Sequence, residues 1–146
     1  HATPYAGFEA REIKAMSPQE VADLRAGRGM GLALAAELNS YPGPMHALEH
    51  ADALRLTPAQ RQALESLMAG MRRDAVAAGE RLIEAEHALD RLFAERRATP
   101  EAVTEATARI GTAAAAVRAV HVATRALLTE EQVARYDGLR GYRRAG

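Results

Sequence analysis

Between Leu64 and Leu92 the small and aliphatic residues fall at Leu64, Leu67, Met71, Ala75, Ala78, Leu82, Ala85, Leu89 and Leu92. Every step is three or four, the period of a helical seam, and the series holds for four heptads. A strand cannot use that spacing, because its side chains change face at every residue. A second series runs through Val103, Ala106, Ile110, Ala113, Val117, Val120, Thr124 and Leu127. Thr99-Pro100 separates the two series, pairing a good helix cap with a proline suited to the first turn. The spacing therefore predicts two long helices of roughly 40 and 28 residues, the first stopping near Arg97. So short a connection makes them antiparallel neighbours.

The same phrase punctuates both arms. "LTPAQ" begins at Leu56 and "LTEEQ" at Leu128. In each, the Thr is an N-cap, the Gln three residues on reaches back to complete a capping box, and the preceding Leu can staple onto the next turn. The first box launches the outgoing helix. The second starts a last helix from Glu130 to about Leu139, ended by Gly141. Both belong at the open end of one hairpin.

Upstream, "SPQE" puts Ser17 at an N-cap, Pro18 at the first helical position and Glu20 in a capping box. That helix should end in the cluster Gly27, Gly29, Gly31. A short helix over "LALAAELN" should stop at Asn39 and the turn signal "SYPGP", and Pro44 should open a third piece, "MHALEHADALR". The first fifteen residues show no sustained period. The expected organisation is an arm over 1–16 and one all-α domain over 17–146. Its long hairpin, about 57–127, is flanked by short N-terminal helices and a short C-terminal helix.

The seam is rich in Ala ("GTAAAAV", "AVAAG"). At ~25 cal/mol per Å² of buried apolar surface, such a stripe stabilises weakly, so it needs cover from the short helices or a second subunit. A homodimer is predicted. Lys+Arg and Asp+Glu both number 19, which leaves no net field to draw nucleic acid. There is no Cys, hence no disulfide, thiolate metal site or Cys nucleophile. No apolar run nears the ~18 residues that span a bilayer. The start at His1 without an initiator Met fits either a trimmed signal peptide or a start chosen in cloning, and secretion through a removed signal peptide is the expectation taken. "GRGMG" lacks the Lys-Ser/Thr ending and strand context of a phosphate loop. Ser17, Ser40 and Ser66 have no His-Asp arrangement nearby, so no enzymatic activity is expected.

Five histidines remain. His46 and His50 form H-x-x-x-H, an i,i+4 pair that can bind Zn, Cu, Ni or Co, though the same spacing also suits a half-exposed helical face. His121 lies seven residues before the second box, so folding the hairpin brings it toward the same end. His87 falls off the seam and is expected at the surface. His1, as a mature terminus, would offer the amine and imidazole of a copper brace. Glu84 and Glu86 read as a solvated helical face with Arg partners.

Paired LTxxQ boxes around a long helical hairpin, in a Cys-free chain of this size, resemble the Spy/CpxP family of bacterial periplasmic proteins from about Pro44 to Tyr142. The resemblance implies a bent-hairpin protomer and an antiparallel dimer forming a curved cradle. The implied roles are ATP-independent chaperoning, inhibition of stress signalling, or metal response, with unfolded clients or a membrane signalling partner. The basic concave surface of the chaperone members has no match here, since seven Arg face seven acidic residues between Arg61 and Arg97. The histidines resemble those of the CnrX-like metal-sensor branch. That likeness implies a transition-metal site of His46, His50 and His121 with Glu65 as carboxylate and Met68 as a further donor. The branch's Met four residues after the last His is Arg125 here. In hairpin register Glu65 lies nine residues beyond the position facing His121, roughly 13 Å along the helix.

Two functions follow as expectations. One is a periplasmic stress-response or chaperone-like protein that shields clients on apolar residues such as Leu32, Leu34, Met45, Met68 and Met71, and that responds to a transition metal through the histidines. The alternative is a heavy-metal sensor or buffer without chaperone activity.

Overall fold

The computed structural model describes residues 3–28 and 30–142, and among these there is no strand. A 3-10 turn over Phe8–Ala10 precedes α1 (Pro18–Arg25). A second 3-10 turn, Met30–Ala33, runs into α2 (Leu34–Glu37). Then come α3 (Pro44–Glu49), α4 (Pro58–Ala94), α5 (Pro100–Arg118), α6 (Val120–Ala126) and α7 (Glu130–Leu139). The all-α expectation holds.

The start signals work as the sequence predicts. Ser17 Oγ accepts the Glu20 N–H at 3.1 Å while Glu20 Oε1 accepts the Ser17 N–H at 3.1 Å, with Pro18 in the first turn. α1 ends at Arg25, and Gly27 takes the left-handed φ of 79° that closes it; Gly29 lies outside the described residues. Thr99 Oγ1 accepts the Ala102 N–H at 3.1 Å and starts α5. The stop signals are looser. α4 ends at Ala94, short of Arg97, because Arg96 turns left-handed (φ 56°) and the Arg97 N–H bonds the Leu92 carbonyl at 2.8 Å.

The returning arm is not one helix of about 28 residues. It breaks at Ala119 into α5 and α6, and the Val122 N–H bonds only three residues back, to the Ala119 carbonyl at 3.1 Å. Beyond the break His121 and Thr124 are buried, and the Thr124 hydroxyl donates to the Val120 carbonyl at 3.2 Å. Periodicity registers a heptad seam but not a break one residue wide.

The chain forms two compact units. The first joins His1–Met30 with Ala75–Ala116. Its core takes Ile13 and Met16 from the arm, Leu24 from α1, Ala78, Leu82 and Ala85 from α4, and Ala106 and Ala113 from α5. Of the seam alanines Ala78, Ala85, Ala106 and Ala113 are buried and Ala75 half-buried, and Ile13 and Met16 of the arm join Leu24 of α1 in the same core. Lys14 fastens that arm to α4, its N–H donating to Asp90 at 2.8 Å and its Nζ lying 3.5 Å from the same carboxylate. Gly79 allows the close approach of α1, since a Cβ there would stand 2.5 Å from the Leu24 carbonyl oxygen.

The second unit joins Gly31–Asp74 with Val117–Gly146. Ala47, Leu54, Leu64 and Tyr136 are its buried centre, and Leu56, Leu127 and Leu128 pack on it. The leucines preceding the two boxes thus meet in one cluster, as expected of helix starts at one end. The boxes also interlock. Each Gln accepts the backbone N–H of its own Thr, at 3.0 Å for Gln60 and 2.9 Å for Gln132. Each then donates to the other's side-chain oxygen and to a carbonyl just ahead of the other box, Leu127 O at 3.1 Å and Leu54 O at 3.2 Å. The repeated phrase is a two-part clasp.

Candidate functional site

The four residues expected to hold a metal stand in separate environments, all within the second unit. His46 sits on α3 with Nδ1 2.9 Å from Glu49 Oε2, a contact that holds the Glu49 carboxyl below its ordinary range. His50 is the C-cap residue of α3, so the helix stops where the expected "MHALEHADALR" piece was to continue. Glu65 is exposed on α4 and Met68 half-buried. His121 is buried on α6, with Nε2 3.6 Å from Glu37 Oε1. Among the described residues no group of three or more His, Cys, Asp or Glu is placed to hold a metal ion. In this arrangement the donor set His46, His50, His121 and Glu65 does not fit one. Arg125, standing where a thioether donor was sought, makes two hydrogen bonds to the Glu130 carboxylate, at 2.9 and 3.1 Å.

His121 instead belongs to a buried polar knot centred on Glu37, which sequence reasoning passed over. Glu37 Oε1 accepts from the Tyr136 hydroxyl at 2.8 Å and from the Gly43 N–H at 3.1 Å. Burial works to raise the Glu37 carboxyl, but contacts with His121, Tyr136, Tyr142 and the Gly43 N–H outweigh it and hold the group down at about 2. Burial and the hydrogen bond to this carboxylate push the Tyr136 phenol well above its usual range. Gly43 fits closely into the knot: a Cβ there would lie 3.2 Å from Glu37 Oε1 and 3.3 Å from His121 Nε2. The available signal was Glu37 itself, the lone charge between Met30 and Leu38.

Fixing Glu37 inward turns α2 inside out. A four-residue helix cannot bury both the carboxylate and the flanking leucines, so Leu34 and its C-cap Leu38 face solvent at 55% and 54% exposure while Glu37 is 8% exposed. Tyr41 and Met45, next along the chain, are also exposed. The segment is held in that pose. Ser40 takes a left-handed φ of 65°, its carbonyl accepts from Arg125 Nε at 2.8 Å, and its hydroxyl donates to Asp137 at 2.6 Å. The Arg125 guanidinium also lies 5.0 Å from the centre of the Tyr41 ring. The product is a fixed apolar surface on a carboxylate anchor. Of the apolar residues singled out by sequence, Leu34 and Met45 are exposed and Leu32, Met68 and Met71 half-buried. None belongs to the buried core.

The profile of the LTXXQ motif family matches residues 44–140 of the 146, a span holding both Thr-Gln boxes. No curated protein and no solved structure gives a significant match. Among the described residues no helix is long and apolar enough to cross a membrane.

Proposed function

This chain belongs to the LTXXQ motif family, and we propose that it serves there as a periplasmic, Spy/CpxP-like stress-response protein that holds unfolding polypeptides on the apolar surface of α2. The family is generally periplasmic, which supports the compartment. The observation that carries the activity is the reversed polarity of α2, with Glu37 buried and Leu34 and Leu38 outward. Apolar side chains held outward by a buried, hydrogen-bonded carboxylate are unlike scattered surface leucines, because relaxation inward is blocked. An unfolding chain presents aliphatic and aromatic segments, and covering one exposed leucine contributes about 1.5–3 kcal/mol at most. A few such contacts give a hold that is firm enough to delay aggregation and weak enough to release without a nucleotide. Met45 adds an unbranched side chain that adapts to different clients.

A metal-sensing or metal-buffering role has less support, because the expected donors are divided between a Glu49 contact and the Glu37 knot. The test of the shielding role is light scattering from a thermally unfolding client. An equimolar amount of the protein should suppress the rise, and the double variant Leu34→Ser/Leu38→Ser, altered only at exposed positions, should lose most of that protection. Equal protection by the variant, or none by the unaltered protein, removes the reading.

A further inference from the structure

Glu86, expected to be a solvated residue with an Arg partner, is half-buried on α4, and among the described residues no cation pairs with it. Asp90, one turn along, is satisfied by Lys14, the only lysine in the chain. Burial raises the Glu86 carboxyl above its ordinary range, as expected of a carboxylate that water reaches poorly and no positive group offsets. Glu86 lines a cleft of about 270 Å³ together with the Lys14–Asp90 ion pair, in which the two charges meet each other, and its other walls are apolar, from Ile13, Ala15, Leu89 and Phe93. Phe93 is 58% exposed, so its ring is open to a visitor.

These surroundings suit one kind of occupant. A long cationic side chain can lay its aliphatic stem on Ile13 and Leu89 while its head meets the Glu86 carboxylate and the Phe93 ring. A neutral or acidic side chain would leave the carboxylate as poorly compensated as before. The neighbouring cleft, about 450 Å³ and bounded by Met16, Val21 and Ile83, lacks this complementarity. Its lining is more densely charged, with Arg11, Glu12, Arg25, Glu80 and Glu84 on it, Arg25 held by Glu80 at 3.1 Å and Arg11 stacked 3.4 Å from the Phe8 ring centre. We infer that the Glu86 cleft is a docking site for the lysine or arginine side chain of an apolar, basic segment of a partner polypeptide. This site is independent of the α2 surface, and neither reading depends on the other.

Fluorescence anisotropy with the full chain and two dye-labelled twelve-residue peptides, alternating leucine with lysine or leucine with glutamate, tests the inference. The lysine peptide should bind and the glutamate peptide should not. Glu86→Gln, equal in shape, should weaken the lysine peptide by about tenfold, the size of one charge-assisted contact. Phe93→Ser should weaken it too. Glu84→Gln, an exposed carboxylate beside the other cleft, should bind as the unaltered protein does. Equal binding of both peptides, unchanged binding by Glu86→Gln, or an equal loss in Glu84→Gln would overturn the site in favour of diffuse charge attraction.

Discussion

Gln60 and Gln132 donate to one another, the Nε2 of the first lying 2.7 Å from the Oε1 of the second and the reverse pair 2.9 Å apart. A capping box needs only an acceptor three residues after the cap, and Glu would serve as well as Gln. Only an amide can accept from its own cap and still donate to the opposite box. This reciprocity gives a physical reason for Gln at both positions.

Removing either amide leaves the other with an unmet acceptor and an unmet donor, a loss of about 1–3 kcal/mol. Gln60→Ala and Gln132→Ala should each destabilise by that amount in urea titrations, and the second change should cost much less once the first is made. Gln60→Glu should also destabilise, although it retains the capping acceptor. Additive losses in the double variant would show that the two boxes stand independently.

The Glu37 knot gives a pH dependence with a definite sign. Its carboxyl sits at about 2 in the folded chain against an ordinary 4.5, so the folded state favours the ionised form. That contribution is fully present above the ordinary value and is lost as pH falls toward 2. Glu37→Gln lacks it. Thermal unfolding from pH 7 to pH 2.5 should therefore show unaltered protein more stable than Glu37→Gln at neutral pH, with the gap closing through the acid range. A constant gap would mean the carboxylate charge plays no part.

The long helices, the capped starts and the meeting of both boxes were legible because each rests on local chemistry: heptad spacing, Thr and Ser caps, and first-turn prolines. Glu37 was not legible, since its partners come from residues 43, 121 and 136, and no local pattern announces a carboxylate that folds inward. The histidines were legible as residues but not as a site. His46 found Glu49 on its own helix, and His121 found a carboxylate brought from α2.

Two glycines of α4 should respond oppositely to alanine. At Gly70 a Cβ would meet nothing within 4 Å, so Gly70→Ala should stabilise by about 0.5–1 kcal/mol through helix propensity. At Gly79 it would meet the Leu24 carbonyl at 2.5 Å, and Gly79→Ala should destabilise by about 1–3 kcal/mol as α1 is pushed away. Denaturant midpoints of the two variants decide this, and stabilisation in both would mean that α1 does not pack as described.

The division of the histidines predicts that His121→Ala leaves zinc uptake unaltered, whatever uptake the His46/His50 pair supports. Isothermal calorimetry of the His121→Ala and His50→Ala variants with Zn, Ni, Co and Cu checks this. A fall of about tenfold or more on removing His121 would show that the imidazoles converge after all.

The outward leucines of α2 are the centre of the account, and their role can be read directly by placing a photo-activated cross-linking residue at position 38 and, in a second protein, at the exposed position 108 of α5. Irradiation with an unfolding client should yield covalent adducts from position 38 and few from position 108, and folded client should yield few from either. Adducts at 108 equal to those at 38, or none at 38, would contradict the assignment of α2 as the surface that receives unfolded chains.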